Sequence, residues 1–369
     1  LFDTIRAEVA EEYAQPHRKP WIIGFSGGKD STLVTHLVVE HLLSLPRSDR
    51  TRPVHIVAND TLVESPLVIG HIREGLVEIR NAAAAFDLPI VAATTAPDPD
   101  QTFWVNLIGR GYPSPNRSFR WCTDRMKIQP TSRYVRDQAS LCGEVILLLG
   151  VRRNESSKRA GTVARYDNGE RLNRHNDLKG CLVFRPIVDL DTDDVWEFLA
   201  MNDPPWGGSH QRLIKLYRDA GGGECPVVTS KSDAPSCGTA SSRFGCWTCT
   251  VVEKDRSLAG FVEAGFDQFT PLLDFRDWLV TIRNDPERRL ARRRDGRFTI
   301  TRSGVFVPGP FNIATRKEIL DRLLGLQDET RMSLISSDEV ERIRTLWVED
   351  VLASAQRRAR EQRTATAEA

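Results

Sequence analysis

This 369-residue chain has no excess of either charge: 51 lysines and arginines face 50 aspartates and glutamates, a net of +1. No bulk field draws it to nucleic acid or to a membrane, so any such binding must come from a local patch. Long apolar runs are missing too. Residues 145–149 are among the longest, far too short for a bilayer, and no signal-type apolar stretch opens the chain. No membrane partner is expected. None of the seven histidines pairs with another at i, i+4 spacing, which argues against a histidine metal site, and spacing alone gives no Ser/His/Asp arrangement. Internal repeats are absent. Cysteine stops early: all seven lie within 122–249, and residues 250–369 hold none. An odd number crowded into one stretch is poor material for a secreted disulfide framework and suits metal or redox use in the cytoplasm. Leucine at position 1 fits a trimmed N-terminus.

What is present is organised around residues 21–33, WIIGFSGGKDSTL. Residues 21–25 have the length of a buried strand, and Leu33, Val34, Leu37, Val38 and His41 recur at helical spacing. Between them Ser26, Gly27, Gly28, Lys29, Asp30 and Ser31 form a small-residue turn feeding a helix start, where free N–H groups and the positive dipole end favour phosphate. This is not a Walker A loop: Gly24-x-x-x-Gly28-Lys29 is one residue short, and Asp30 stands where Ser or Thr belongs.

Residues 2–14 read as an amphipathic helix. Strands are expected at 53–58, 88–95 and 144–151, with a helix over 68–85. Strands alternating with helices and apolar on both faces predict an α/β fold, a parallel sheet covered on both sides. Ligands then gather beyond the carboxyl ends of the strands. Residues 185–199 read as a short strand, a Thr192 N-cap and a helix. A cysteine-rich loop over 221–249 follows, then helical patterns at 271–283, 315–325 and 337–354, and a polar tail from 355 expected to fray. The organisation expected is an N-terminal helix (1–20), an α/β nucleotide-binding domain (21–220), a cysteine-rich loop (221–255) and a helical, partly basic region (256–369).

Cys246-x-x-Cys249, with Cys237, Cys225 and Cys122 upstream, suits either a structural zinc or an iron–sulfur cluster. Cys142 and Cys181 read as ordinary buried thiols. The run Arg288-Arg289-Leu-Ala-Arg292-Arg293-Arg294, with Arg297 and Arg302, and the Arg/aromatic loop at 110–121 offer phosphate contacts and rings for base stacking.

Four motifs stand in order: SGGKDS, Asp60-Thr61-x-x-Glu64, Cys122-Thr-x-x-x-Lys127-x-x-Pro130 and Gly150-x-Arg152-x-x-Glu155-Ser156. Together they resemble the PAPS reductase-like branch of the PP-loop ATP pyrophosphatases, over roughly residues 20–250. Cys225-Pro, Cys237-Gly and Arg243-Phe-Gly-Cys246-Trp-Thr-Cys249 resemble the Dnd-type DNA phosphorothioation sulfurtransferases within it. The resemblance implies that residues 26–31 cradle the phosphates of ATP with Lys29 as counter-charge. Asp30 would orient Mg²⁺, with Asp60 and Thr61 as further nucleotide or metal contacts, Asp60 serving otherwise as a loop cap. Gly150, Arg152, Glu155 and Arg159 would complete the nucleotide site, with Lys127 and Arg152 neutralising charge during transfer and Glu155 orienting an arginine. A [4Fe–4S] cluster would sit on Cys122, Cys237, Cys246 and Cys249, leaving Cys225 as alternate ligand or persulfide carrier. ATP would be cut to AMP and pyrophosphate, with DNA as acceptor, a cysteine desulfurase as sulfur donor, and other subunits of a phosphorothioation complex as partners. Sulfonucleotide reductases in the same branch keep a redox cysteine near the C-terminus, for which residues 250–369 offer no thiol. Reduction of PAPS or APS and a nucleotide-sensing, non-enzymatic role are the competing expectations.

Overall fold

Six short strands form the central sheet: β1 (Trp21–Gly24), β2 (Val54–Asn59), β3 (Ile90–Thr95), β4 (Val145–Leu148), β5 (Leu172–Arg174) and β6 (Cys181–Phe184). Their order is β3-β2-β1-β4-β6-β5, parallel throughout except that β5 runs against β6. Trp21 faces Val54 on one side and Ile146 on the other, so β1 is paired along both edges and buried on both faces. That burial is why its sequence is a continuous apolar run rather than an alternating one. The structure is a computed structural model that describes residues 1–155, 161, 164, 169–221, 244–294, 296–300, 304 and 306–367.

Helices α1 (Phe2–Tyr13), α2 (Lys29–Ser44) and α3 (Pro66–Phe86) follow the expected periodicity. On α3 the buried Val68, Ile72, Leu76, Ile79 and Ala83 recur every three to four residues, and Pro66 opens it. A single helical run covers 121–142, as α4 (Trp121–Thr123), a π turn over Asp124–Ile128, and α5 (Gln129–Cys142). Pro130 falls in the first turn of α5, directly after the π turn. The reading of a short strand and a Thr192 cap at 185–199 is corrected: the strand is Cys181–Phe184, and helix α6 (Thr192–Met201) is capped by Asp191, whose N–H donates to Asp194 Oδ2 at 2.7 Å. A carboxylate three residues on satisfies that cap, which leaves the Thr192 hydroxyl for another partner. Cys181 is buried and Cys142, at the end of α5, is exposed, contrary to the expectation for the latter.

The remaining helices are α7 (Gln211–Asp219), α8 (Arg256–Glu263), α9 (Thr270–Ile282), α10 (Ile313–Thr330) and α11 (Ser337–Ala367); the last continues helical past 355, where fraying was expected. The C-terminal helices lock onto residues 104–109 through polar tips on apolar side chains. Trp104 Nε1 donates to Leu334 O (2.7 Å), Trp347 Nε1 to Ile108 O (3.0 Å) and buried Arg316 to Gly109 O (2.7 Å). Among the described residues no helix is long and apolar enough to cross a membrane.

Candidate active site

The strand order reverses between β1 and β4, and α2 and the β4 turn leave the sheet there. Crevices of this kind hold ligands in open α/β sheets. On one side Ser26–Ser31 folds into a tight loop. Gly27 takes φ +68°, and a Cβ there would lie 2.5 Å from Ile72 Cγ1, so glycine is required twice over. Ser26 N–H donates to Ser31 Oγ (3.2 Å), Ser31 Oγ to Gly28 O (3.0 Å), Gly28 N–H to Ser26 Oγ (3.4 Å) and Lys29 N–H to Tyr217 Oη (3.3 Å). Hydroxyls thus hold N–H groups at the helix start that a phosphate oxygen can take over. Lys29 is only 5% exposed; its ammonium lies 3.5 Å from Asp30 Oδ2 and against the rings of Tyr217 and Trp196.

On the other side β4 ends in Gly150 and Arg152. A Cβ on Gly150 would meet Asp30 C at 2.7 Å and Asp30 O at 2.8 Å, so the expected nucleotide contact is first a packing requirement between two backbones. Arg152 is fully buried. Its Nε donates to Asp30 Oδ1 (2.7 Å) and its Nη1 to Thr192 Oγ1 (3.1 Å), the hydroxyl not used as a cap. Nη2 is buried without a protein acceptor among the described residues, an orphan donor that suits an anion. Asp30 therefore holds Arg152 and Lys29, and a Mg²⁺ would have to share that carboxylate with them. Glu155 closes the short turn Arg153–Glu155; Arg159 lies outside the described residues.

Asp60 and Thr61, at the carboxyl end of β2, bind partners within the protein. Asp60 accepts from Leu62 N–H (2.8 Å) and Arg73 Nη2 (3.0 Å), the loop-cap alternative. Thr61 donates to Glu64 Oε1 (3.0 Å) and lies 3.3 Å from Cys246 Sγ. Glu64 forms an antiparallel bridge with Cys246, Trp247 N–H donates to Val63 O (3.1 Å), and Cys249 N–H returns to Cys246 O (2.9 Å). The turn carrying Cys246 and Cys249 is therefore pinned onto the β2 loop. Lys127, set on the π turn, reaches Glu64 Oε1 at 3.2 Å. π turns of this kind often mark functional sites.

Charge couples these groups. Burial pushes the Cys122 thiol up, with the Cys249 sulfur adding to it. Burial raises Cys246 strongly, Glu64 adding and Lys127 and Thr61 opposing. The Lys127 ammonium is held charged against its own burial, with the neighbouring Cys246 sulfur as the first cause and Glu64 as the next. Cys249 thus lies within electrostatic reach of both Cys122 and Cys246. The described residues include no group of three cysteine, histidine or acidic side chains set to hold a metal, so the expected quartet is not assembled there; Cys225 and Cys237 fall outside them. Beneath the turn, fully buried Arg276 from α9 donates to Cys249 O (2.8 Å), Glu253 O (2.7 Å) and Val252 O. Tyr217, Trp196 and Arg276 carry no local motif and were invisible in the sequence; Glu64 was legible as part of its motif.

The basic run divides. Arg288 pairs with Glu318, Arg294 with Asp350, and Arg289 donates to Gly309 O, Arg283 O and Pro308 O. In the 110–121 loop Trp121 is buried and Phe119 exposed.

A family model described as the phosphoadenosine phosphosulfate reductase domain matches residues 20–252. The chain is similar to uncharacterized protein MJ0066 of Methanocaldococcus jannaschii, 23% identical over 195 residues; the match covers 53% of this chain and 34% of that protein, about a third of its length. Similar solved structures include the PAPS reductase of Candida auris in a phosphate complex (14% identity, TM-score 0.33, 54% of this chain and 84% of that one). Another is the U34-tRNA thiolase NcsA of Methanococcus maripaludis with its [4Fe-4S] cluster (13% identity, TM-score 0.33, 76% and 78%).

Proposed function

The chain belongs to the phosphoadenosine phosphosulfate reductase domain family, and from that premise we propose that it is an ATP-dependent sulfurtransferase that cuts ATP to AMP and pyrophosphate. One observation carries the reading: the phosphate-type loop follows β1, and the turn carrying Cys246 and Cys249 is pinned to the loop that follows β2, the adjacent parallel strand. An acceptor oxygen attacks the α-phosphorus of ATP, the bond to the β-phosphate breaks, and pyrophosphate leaves. Lys29, at the helix start, and Lys127 offset the charge that develops. A persulfide sulfur then attacks the adenylated phosphorus and expels AMP. A second thiol cleaves the S–S bond, leaving a thiophosphate and a disulfide that an external thiol reduces. Cys225 is the proposed persulfide carrier.

Cys122, Cys246 and Cys249, with Cys237 as fourth, would hold the [4Fe–4S] cluster, which when bound supplies thiolate-ligated iron. The proposed acceptor is a non-bridging oxygen of a DNA backbone phosphate, supported by the order of the motifs and the Cys246–Cys249 signature. A cysteine desulfurase supplies sulfur in the cytoplasm, and other subunits choose the DNA sequence, since phosphate contacts alone carry none.

The test is anaerobic purification with iron, sulfide and pyrophosphate measured on one sample. Roughly four irons per chain, with pyrophosphate release from ATP that disappears in Lys29→Ala, supports the reading. Sulfite release from PAPS with thioredoxin would replace it by the reductase reaction. ATP binding without pyrophosphate, even with DNA and partners present, would leave a nucleotide sensor.

A further inference from the structure

Two segments that the sequence offers separately, the Arg/aromatic loop and the basic run, close around one cavity of about 580 Å³. Tyr112, Asn116 and Phe119 come from the first; Arg289, Arg293 and Arg294 from the second. Both walls are built. Asn116 Oδ1 accepts from Ser118 N–H (2.9 Å) and Phe119 N–H (2.8 Å), a turn that leaves Phe119 41% exposed. Phe311 N–H donates to Gly111 O (2.6 Å) and Arg294 to Arg110 O (2.9 Å), tying the segments together.

Among the described residues the lining contains no acidic side chain. Among the described residues Arg289 meets backbone carbonyls and the Phe311 ring, and its charge and that of Arg293 repel. Arg293 uses Nε on Thr299 Oγ1 (2.7 Å) and meets no carboxylate among the described residues. Two guanidinium groups that meet no carboxylate among the described residues, beside rings and the Asn116 and Asn284 amides, suit an anion joined to a flat, hydrogen-bonding ring. The loop is also fixed beside the thiols: Thr250 Oγ1 donates to Pro115 O (2.7 Å), and Trp121 Nε1 to Pro113 O (3.0 Å) next to Cys122.

We propose that this cavity takes one unstacked nucleotide of a nucleic-acid strand, its base against Phe119 and Tyr112 and its phosphate on Arg289 and Arg293. This rests on the reading of a nucleic-acid acceptor and gives that acceptor a place on the protein. An acidic peptide would use the guanidinium groups but not the rings, and the variants below separate the two.

The experiment is fluorescence anisotropy of a labelled single-stranded oligodeoxynucleotide of roughly 12 nucleotides with the full chain. Phe119→Ala weakens binding about ten-fold and Phe119→Tyr retains it, as expected when one stacked base is lost and restored. Arg293→Gln lowers the slope of log affinity against log salt by about 0.7, the value for one phosphate of a single strand. Both residues are exposed, so an unchanged thermal midpoint and ATP affinity certify the fold. Equal binding by all variants overturns the cavity and leaves the nucleic-acid acceptor standing elsewhere. Displacement by an equal concentration of dAMP overturns the strand. If no oligonucleotide binds while pyrophosphate is still released, the cavity and the DNA acceptor fall and ATP-dependent transfer to another acceptor remains.

Discussion

Arg152 donates from Nε to Asp30 Oδ1 across 2.7 Å, joining the end of β4 to the first turn of α2 at the point where the sheet reverses its order. A guanidinium with no solvent exposure is paired with a carboxylate that is 17% exposed, and the pair holds the phosphate-type loop in register with its neighbouring strand. The motif residue expected to touch phosphate is thus also the residue that fixes the loop.

Arg152→Met leaves the largely enclosed Asp30 with Lys29 alone as an ion-pair partner among the described residues, and destabilisation of about 3 kcal/mol is expected. Arg152→Lys is expected to rescue little, because an ammonium cannot reproduce the forked contacts to Asp30 and Thr192. Urea unfolding of the two variants checks this. A midpoint close to wild type in Arg152→Met would show that the pair is dispensable to the fold.

Gly150→Ala places a methyl 2.7 Å from the Asp30 carbonyl carbon, and neither backbone can yield without moving β4 or α2. The expected cost is about 1–3 kcal/mol with weakened ATP binding. Gly325→Ala, in helix α10 with nothing within 4 Å, is the matched control. It should stabilise by about 0.8–1 kcal/mol. Thermal unfolding and ATP titration of the pair distinguish a packing requirement from a general intolerance of glycine replacement.

These two positions show what the sequence makes legible. The β1 strand, its loop and α2 could be read because apolar run, small-residue turn and helical period follow one another within a few residues. The four motifs fell at strand ends because the alternation of strands and helices dictates it. Contacts that close the site were not legible. Thr61 meets Cys246 185 positions away, and Lys29 is covered by Tyr217 188 positions away. Asp60 was ambiguous, since a loop-start carboxylate caps its own backbone or reaches a ligand with the same local sequence. The arginine run reads as one patch, whereas tertiary partners turn Arg288 and Arg294 into ion-paired ties and leave Arg289 and Arg293 on the cavity.

Stability should fall on mild acidification. His36 Nδ1 lies 3.1 Å from His210 Nε2 in the layer between α2 and α7, and both rings are buried. Burial, with Arg6 lowering His36 further and His36 lowering His210, brings each down to about 4. The unfolded chain takes up protons near 6.5, so between about 6.5 and 4 it binds protons that the folded chain refuses. The stabilisation is complete above about pH 6.5 and is lost as pH falls through that window, at up to about 1.4 kcal/mol per unit for each ring. Urea midpoints at about pH 7.5 and 5 measure it. The double variant His36→Asn, His210→Asn should flatten the slope without abolishing it, because His41, His55 and His71 are pushed the same way. An unchanged slope would mean the pair does not carry the effect.

Cysteine variants separate ligands from bystanders. Cys246 bridges to Glu64 and touches Thr61, Cys249 is held from below by Arg276, and Cys122 feels the charge of Cys249. Cys142 stands exposed at the end of α5, and Cys181 lies in β6 with its thiol pushed up to about 11 by burial. Cys122→Ser, Cys246→Ser and Cys249→Ser should each lose most of the iron, whereas Cys142→Ser and Cys181→Ser retain it, measured per chain after anaerobic purification. Chelation of the wild-type protein should lower its thermal midpoint, because metal binding to folded thiolates is folding free energy, and the three ligand variants should show no further shift. Iron retained at full level in all three would place the metal on other residues and leave Cys246 and Cys249 as a structural turn against the β2 loop.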